Sequence, residues 1–523
     1  MILVGFGMAF VGSQVQPLLF AAVVPLVSAD FGASDLLVWF FCTQQIAVAV
    51  VAPFAGSLAD LFGRKRITTG GVLSSMVGMI LTAATPNAAG YLAGQVFAGI
   101  GIAVQELMTI AAIVEIVPTE YRGYYIAIIV TSFFPFAPSS LYGALIAETN
   151  WRYCACLIAI WNLITALLIG FFYNPPPRQN GAGLTLMQKL KRIDLVGGFI
   201  MTIGLVLLLM GLNWGGQQYP WNSARVIAFL TIGIFLLIVF ILYERFLAPY
   251  PMFPASLLQH PRTFTALMLV ILLAGINYVS ILIFWVLEAV SVYNSNKTEL
   301  GIRTLPYGFC IAGGAIISAV MVSAFKAHLR SIMTLFCIVQ AVGIACMAAI
   351  DPTNINTAWA PLTFALLGLG GVLIPNQIII TVISPDTLIA TATCLTASLR
   401  AVGQVIGTTI FYAQFTSVLT ASTYDRVLPV ALGAGITDPA ILGSMMPALV
   451  ATPWKEWAAA TIGNAVPAEQ LGVLHEVVVE VFAGAFRRVW FVSIAFGVTA
   501  VGASLFIGDL GLLMDGRIAV RYF

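Results

Sequence analysis

Apolar residues in this chain run on for about twenty positions at a time and then give way to short polar, glycine- or proline-marked breaks. A helix of that length spans the roughly 30 Å hydrocarbon core of a bilayer. Such runs fall at about 3–28, 36–58, 67–86, 89–116, 123–147, 153–173, 194–213, 224–244, 263–290, 304–325, 330–350, 358–382, 387–414 and 488–510, which is fourteen. Pro17, Pro25, Pro138 and Pro375 lie inside runs; membrane helices tolerate them because neighbours re-satisfy the freed carbonyls. The pattern predicts an all-α integral membrane protein.

The breaks divide the chain. Residues 1–173 carry six runs, 174–193 read as a linker, 194–262 hold two additional spans and a loop, 263–513 hold six more, and 514–523 form a tail. Residues 415–487 are expected to be a long external loop. Within it, 467–487 place Leu471, Leu474, Val478 and Phe482 at helical spacing beside Glu476 and Glu480. That stripe reads as an amphipathic helix on the membrane surface or as a packed external cap.

Composition makes lipid the solvent. Of 523 residues 60% are hydrophobic and 8% charged, against about 25% charged in soluble proteins. A net charge of +2 with no basic stripe gives no footprint for nucleic acid. The seven cysteines lie in or beside apolar runs, and the three histidines, His260, His328 and His475, lie far apart. Neither pattern predicts a disulfide framework, a metal site or a cofactor. No phosphate-binding lysine loop or nucleophile elbow is present, which argues against an enzyme and against ATP-driven pumping. The first run lacks a basic leader and reads as a span; the chain starts almost inside it, so a short or truncated N-terminus is one reading.

Charge sets the orientation. With the N-terminus cytoplasmic, the inside segments carry fourteen Lys and Arg and the outside segments eight. Both termini then lie inside, and the sequon Asn296-Lys297-Thr298 lies outside, where Asn296 is a glycosylation candidate.

Between the second and third runs stands Gly56-Ser57-Leu58-Ala59-Asp60-Leu61-Phe62-Gly63-Arg64-Lys65-Arg66. Gly56 permits close helix approach, Gly63 a tight turn, Asp60 can face a helix N-terminus, and Arg64 and Lys65 can pair with carboxylates or headgroups. This loop is similar to the signature loop of the major facilitator superfamily. The resemblance implies two six-helix bundles, here with two extra central helices as in the fourteen-helix drug:proton antiporter branch, and a cytoplasmic gating loop meeting a helix that begins near Ser384-Pro385-Asp386. Further motifs resemble the fungal trichothecene-efflux and siderophore-transporter group. They are Gly94 to Gly101 with Gln105-Glu106-Leu107, Val117-Pro118-Thr119 with Arg122-Gly123-Tyr124, Asn150-Trp151-Arg152, Ile193-Asp194 with Gly197-Gly198, Asn213-Trp214-Gly215-Gly216 with Tyr219-Pro220-Trp221, and Ser493 to Val498. Three positions depart from the branch: Gln16 replaces an aspartate, Gln95 an arginine, and Ala137-Pro138 with Gly143 reduces the fifth-span motif. Proton coupling is therefore not carried over.

Ionisable groups are costly inside a bilayer and mark functional candidates. Glu106 falls about 15 Å inside the fourth run at about 1.5 Å per residue, Arg400 near the middle of the thirteenth, and Glu288 near the external end of the ninth. Each reads as a substrate or proton group, or as a structural pair or carbonyl cap. Gln44, Gln45, Gln95, Gln105, Asn162, Asn277, Tyr278, Asn376, Gln377 and Gln404 could line a cavity or join helices. Gly403 and Gly407 form a close-packing face. The expected function is secondary transport by a monomer in the plasma membrane, by alternating access around a midplane cavity. Its expected cargo is a small toxin, secondary metabolite or drug, exported with or without proton coupling. Siderophore-iron uptake and a non-transporting sensor are the alternatives.

Overall fold

The structure is a computed structural model and describes residues 2–33, 36–173, 188, 194–216, 218–385, 388–462, 467–508 and 510–511. The expected linker, apart from Gln188, and the tail 514–523 lie outside the described residues, as do the Asp60 side chain and Asp386.

The first bundle comprises α1 (Ile2–Ala21), α2 (Val24–Asp30), α3 (Leu37–Phe62), α4 (Arg64–Ala84), α5 (Ala88–Ile116), α6 (Arg122–Thr131), α7 (Ser139–Thr149) and α8 (Arg152–Phe172). Two central helices follow, α9 (Leu195–Trp214) and α10 (Ala224–Phe246). The second bundle runs α11 (Pro261–Val279), α12 (Trp285–Ser291), α13 (Lys297–Arg303), α14 (Pro306–Ala324), α15 (Leu329–Met347), α16 (Trp359–Ile383) and α17 (Ile389–Ser422). It closes with α18 (Leu428–Gly433), α19 (Pro439–Ala451), α20 (Trp454–Thr461) and α21 (Ala468–Ser504).

Among the described residues twelve helices are long and apolar enough to cross a membrane. The expected spans at 123–147 and 488–510 take other forms. The first is two short helices, α6 and α7, divided by the turn Phe134–Phe136. Pro135 and Pro138 supply no backbone N–H there, so the ladder cannot run through. The second is the far half of the 37-residue α21, whose near half carries Glu469, Glu476 and Glu480, with Arg487 and Arg488 at the junction. The α1–α2 break has the same cause at Pro25; Val23 N–H turns back to the Phe20 carbonyl at 2.9 Å.

Segment 415–487 is mostly helical. Its stripe packs on α17: Leu474, Val478 and Phe482 are buried, and Phe486 meets Phe415 at 4.7 Å between ring centres. Of the two readings for 467–487, the helix is packed against the protein. Arg426 and Glu480 pair on its outer side.

α9 and α10 lean on each other through Gly204 and Gly233. On α10 only Val226, Gly233 and Phe240 are buried, and Phe235 and Ile241 stand exposed. Such an apolar exterior is stable in hydrocarbon and not in water.

The bundles meet through small residues. A Cβ on Gly56 would lie 3.1 Å from the Ala390 carbonyl, one on Gly123 2.2 Å from that of Ala319, and one on Gly308 1.9 Å from that of Ala137. Gly63 has φ +92, a backbone conformation that favours glycine. It turns the chain from α3 into α4 and so fixes a motif face of the molecule; the other side is the opposite face.

Candidate functional site

Helix direction follows from that turn. α3 ends, and α4 begins, at the motif face. α5 therefore begins at the opposite face and ends at the motif face, whereas α17 starts beside Gly56 and runs away from it. Glu106 lies about 15 Å from the motif-face end of α5 and Arg400 about 16 Å from that end of α17, at about 1.5 Å per residue. Both reach the same midplane level from different bundles, and there they join. One Arg400 guanidinium nitrogen donates to Glu106 Oε1 at 2.6 Å and Oε2 at 2.8 Å. The two side chains are only 16% and 9% exposed, so the pair is largely shielded from solvent.

The α11 backbone is clamped against α17 at this level. A Cβ on Gly275 would lie 2.4 Å from the Arg400 carbonyl, and Cβ atoms on Gly403 and Gly407 would lie 2.3 Å and 2.7 Å from the Leu272 and Ile276 carbonyls. The glycine face beside Arg400 thus serves close packing, as its spacing implied.

One chamber is lined by the pair, and a second lies next to it. The pair chamber, about 60 Å³, is lined by Glu106, Arg400, Gln377, Gln14, Phe133 and Tyr278 among others. The amide chamber, also about 60 Å³, is lined by Gln44, Gln45, Gln95, Gln404, Tyr91 and Tyr278 among others. A single water needs about 10–15 Å³, and ligand pockets run to about 300–1,000 Å³. Each chamber therefore holds a few waters at most in this conformation. On the opposite face a vestibule of about 490 Å³ opens between the bundles, lined by Asp30, Glu148 and Arg152 from one and Lys297 and Glu456 from the other.

Other sequence candidates lie elsewhere. Gln105 donates to Asn162 at 3.1 Å, Asn162 to Ser75 at 3.0 Å, and Ser75 to Gln16 at 3.1 Å. This buried chain ties helices of the first bundle together. Asn277 lies 2.9 Å from the Ser493 hydroxyl and performs the same task in the second. Glu288 is buried away from the chambers and accepts from Trp490 Nε1 at 3.1 Å. Asn376 is buried but lines neither chamber. Asn296 caps α13, accepting from Glu299 N–H at 2.8 Å, while the Thr298 hydroxyl of the same sequon donates to Glu148 across the bundle interface.

The sequence reading missed two contributions. Arg122 was read as a loop charge and as part of a family motif, with no contact assigned, yet it is fully buried and donates to the Thr381 hydroxyl at 3.2 Å across the bundles. Beside it Lys326 meets Glu120 at 2.6 Å. The legible signal was a basic residue at the start of a helix just after Val117-Pro118. Gln14 was not among the candidates. Its spacing to Phe10 and Leu18, four residues either way, marks one helix face, and all three line the pair chamber.

Two helical bundles joined by small residues, an ion pair between them at mid-depth, and membrane-length helices throughout define a multi-pass membrane transporter of the major facilitator fold. Solved structures agree in fold. A bacterial homologue of the human lysosomal transporter Spinster, inward-facing and unoccupied, superposes with TM-score 0.54 at 15% identity, covering 98% of this chain and 97% of that one. The human organic anion transporter MFSD10 gives TM-score 0.53 at 13% identity over 79% of this chain and 93% of that one. The sequence model of the fungal trichothecene efflux pump (TRI12) family matches residues 2–521, and the chain belongs to that family. Among curated relatives, the MFS-type transporter ucsD of an Acremonium species is 26% identical over 504 residues, 92% of this chain and 79% of the relative. The trichothecene efflux pump TRI12 of Fusarium sporotrichioides is 24% identical over 523 residues, 95% of this chain and 84% of the relative.

Proposed function

We propose that this transporter exports a small, moderately apolar organic molecule of the toxin, secondary-metabolite or drug class by alternating access. The observation that carries the reading is the Glu106–Arg400 pair. It joins the two bundles at mid-depth in the wall of one chamber, with a second chamber beyond Tyr278, and the walls of both are amide, aromatic and aliphatic. Such walls hold a ligand by apolar contact and orient it by a few hydrogen bonds. The pair's partners ride on different bundles, so parting the bundles breaks it. A ligand or proton that interacts differently with the paired and parted states then shifts the equilibrium between them.

Glu106 is the proposed proton-sensitive group: protonation removes the charge that holds Arg400. The motif face is the proposed cytoplasmic side, with a monomer in the plasma membrane as the working unit. The names of the relatives favour efflux over siderophore uptake or sensing. The test is flux in proteoliposomes, with and without an imposed pH gradient, over a panel of toxins, siderophores and drugs. Gradient-dependent movement of toxins or drugs, lost or made pH-independent in Glu106→Gln, is expected. Siderophore accumulation alone, or wild-type pH dependence in Glu106→Gln, overturns the respective part.

A further inference from the structure

The two chambers are offset along the path and overlap by about one turn of α1. Every helix that lines both gives the same order. On α1 the pair chamber takes Phe10, Gln14 and Leu18 and the amide chamber takes Pro17, Phe20 and Ala21, so along α1 the two overlap at Pro17 and Leu18 and the amide chamber extends nearer the opposite face. On α5, which runs the other way, the amide chamber takes Tyr91 and Gln95 and the pair chamber takes Glu106 and Ile110. On α17 Arg400 belongs to one chamber, and Gln404, one turn further from the motif face, to the other. The vestibule continues the series: Ala21 and Val24 line the amide chamber while Ala22 and Pro25 line the vestibule.

Among the described residues Tyr278 alone lines both chambers. Its hydroxyl makes no hydrogen bond among the described residues, and the side chain is only half-buried. Its backbone is bracketed by two opposite features. Gly275, one turn before it, packs directly against the Arg400 carbonyl, which holds α11 close to α17 at this level. The π-helical segment Ser280–Phe284 begins two residues after it; such bulges interrupt regular helices, often at functional sites. Gln404, at 5% exposure, has no side-chain hydrogen bond to another described residue and faces the amide chamber, so that chamber offers an uncommitted amide to a ligand.

We infer that Tyr278 is the partition between two consecutive cargo chambers and the residue that sets the largest cargo able to pass from one to the other. The inference rests on the export reading for its meaning, but its test needs no transported molecule. The probes are a small and a bulky membrane-impermeant methanethiosulfonate reagent, applied to the opposite face of the full-length protein in sealed vesicles. Modification is read by mass spectrometry at Gln45→Cys in the amide chamber and Gln377→Cys in the pair chamber. With Tyr278 present, the bulky reagent should modify position 377 at least about tenfold more slowly than position 45, as when passage needs a conformer populated at about a tenth or less. Tyr278→Phe, which keeps the ring, should preserve that ratio. Tyr278→Ala should abolish it, and Tyr278→Leu stands in where the alanine variant does not fold. Equal rates at both positions with Tyr278 present, or a ratio unchanged on removing the ring, overturns the inference. Failure of flux in every arm of the export test, with this labelling pattern intact, would overturn the export reading alone.

Discussion

The Glu106–Arg400 pair gives a prediction that separates a conformational lock from a passive buried contact. Breaking a buried ion pair by removing one partner costs about 3–5 kcal/mol, because the remaining charge stays desolvated. Replacing both partners by uncharged residues of similar volume is often close to neutral. Two contacts at 2.6 Å and 2.8 Å and side-chain exposures of 16% and 9% place this pair in that regime. Glu106→Gln and Arg400→Met should therefore each destabilise the closed arrangement by about 3 kcal/mol, and the double variant by about 1 kcal/mol. The missing part is a coupling energy, measured as a double-mutant cycle. Because the partners ride on different bundles, a single variant should also shift the closed-to-parted ratio about a hundredfold, at about 1.4 kcal/mol per tenfold. Denaturant titration in bicelles reads the first quantity. Cysteine accessibility at Gln377→Cys from the motif face reads the second. A coupling energy below about 0.5 kcal/mol, the scatter expected of independent sites, would refute the reasoning, as would single variants that unfold more easily without changing accessibility.

Further expectations follow from the packing. Gly308→Ala forces a Cβ to 1.9 Å from the Ala137 carbonyl and should cost about 1–3 kcal/mol or more by overpacking, whereas Gly443→Ala, with open space around it, should be neutral or slightly stabilising; thermal denaturation in detergent compares the two. Asn296→Ala removes the α13 cap and should cost about 1 kcal/mol, read as faster hydrogen exchange over Lys297–Arg303, and enzymatic deglycosylation of the parent protein tests whether the same side chain carries a glycan. The Lys326–Glu120 pair, with side chains 38% and 26% exposed, should couple by no more than about 1 kcal/mol, and that coupling should fall as salt rises. Asn162→Leu should lower stability by about 1–3 kcal/mol through the unpaired Gln105 amide, while leaving the relative preference among cargoes in vesicle flux unchanged.

The helices and their bundle arrangement were legible because both follow from simple signals: apolar run length for the spans, and glycine and basic residues at fixed spacing for the Gly56–Arg66 turn. What run length could not convey was interruption. Pro135 and Pro138 turned one expected span into α6 and α7, and the same apolar count describes a straight helix or a broken one. Segment 415–487 looked like a loop because its charges dilute its hydropathy. Those charges lie on the outward side of helices whose inner side holds Leu474, Phe482 and Phe486.

The candidate site was legible residue by residue but not in its pairing. Cost singled out Glu288, which lies away from the chambers, together with Glu106 and Arg400, since a charge in hydrocarbon has to be compensated. Counting positions from their helix ends would have put the latter two at one depth. The amides were not separable in this way. Gln105, Gln95 and Gln404 are the same chemistry in similar apolar runs, yet Gln105 is committed to Asn162 while Gln404 faces the amide chamber. That difference depends on which helix lies opposite, a relation between residues far apart in the chain, and an amide signals nothing of it locally. A membrane amide is therefore best assigned by its partner: one already bonded to a second amide holds the bundle together, and one left uncommitted at a cavity wall is available to cargo. By that criterion Gln45 and Gln404 are the positions where substitution should alter which molecules are carried, and Gln105 and Asn162 are those where it should alter only how much folded protein there is to carry them.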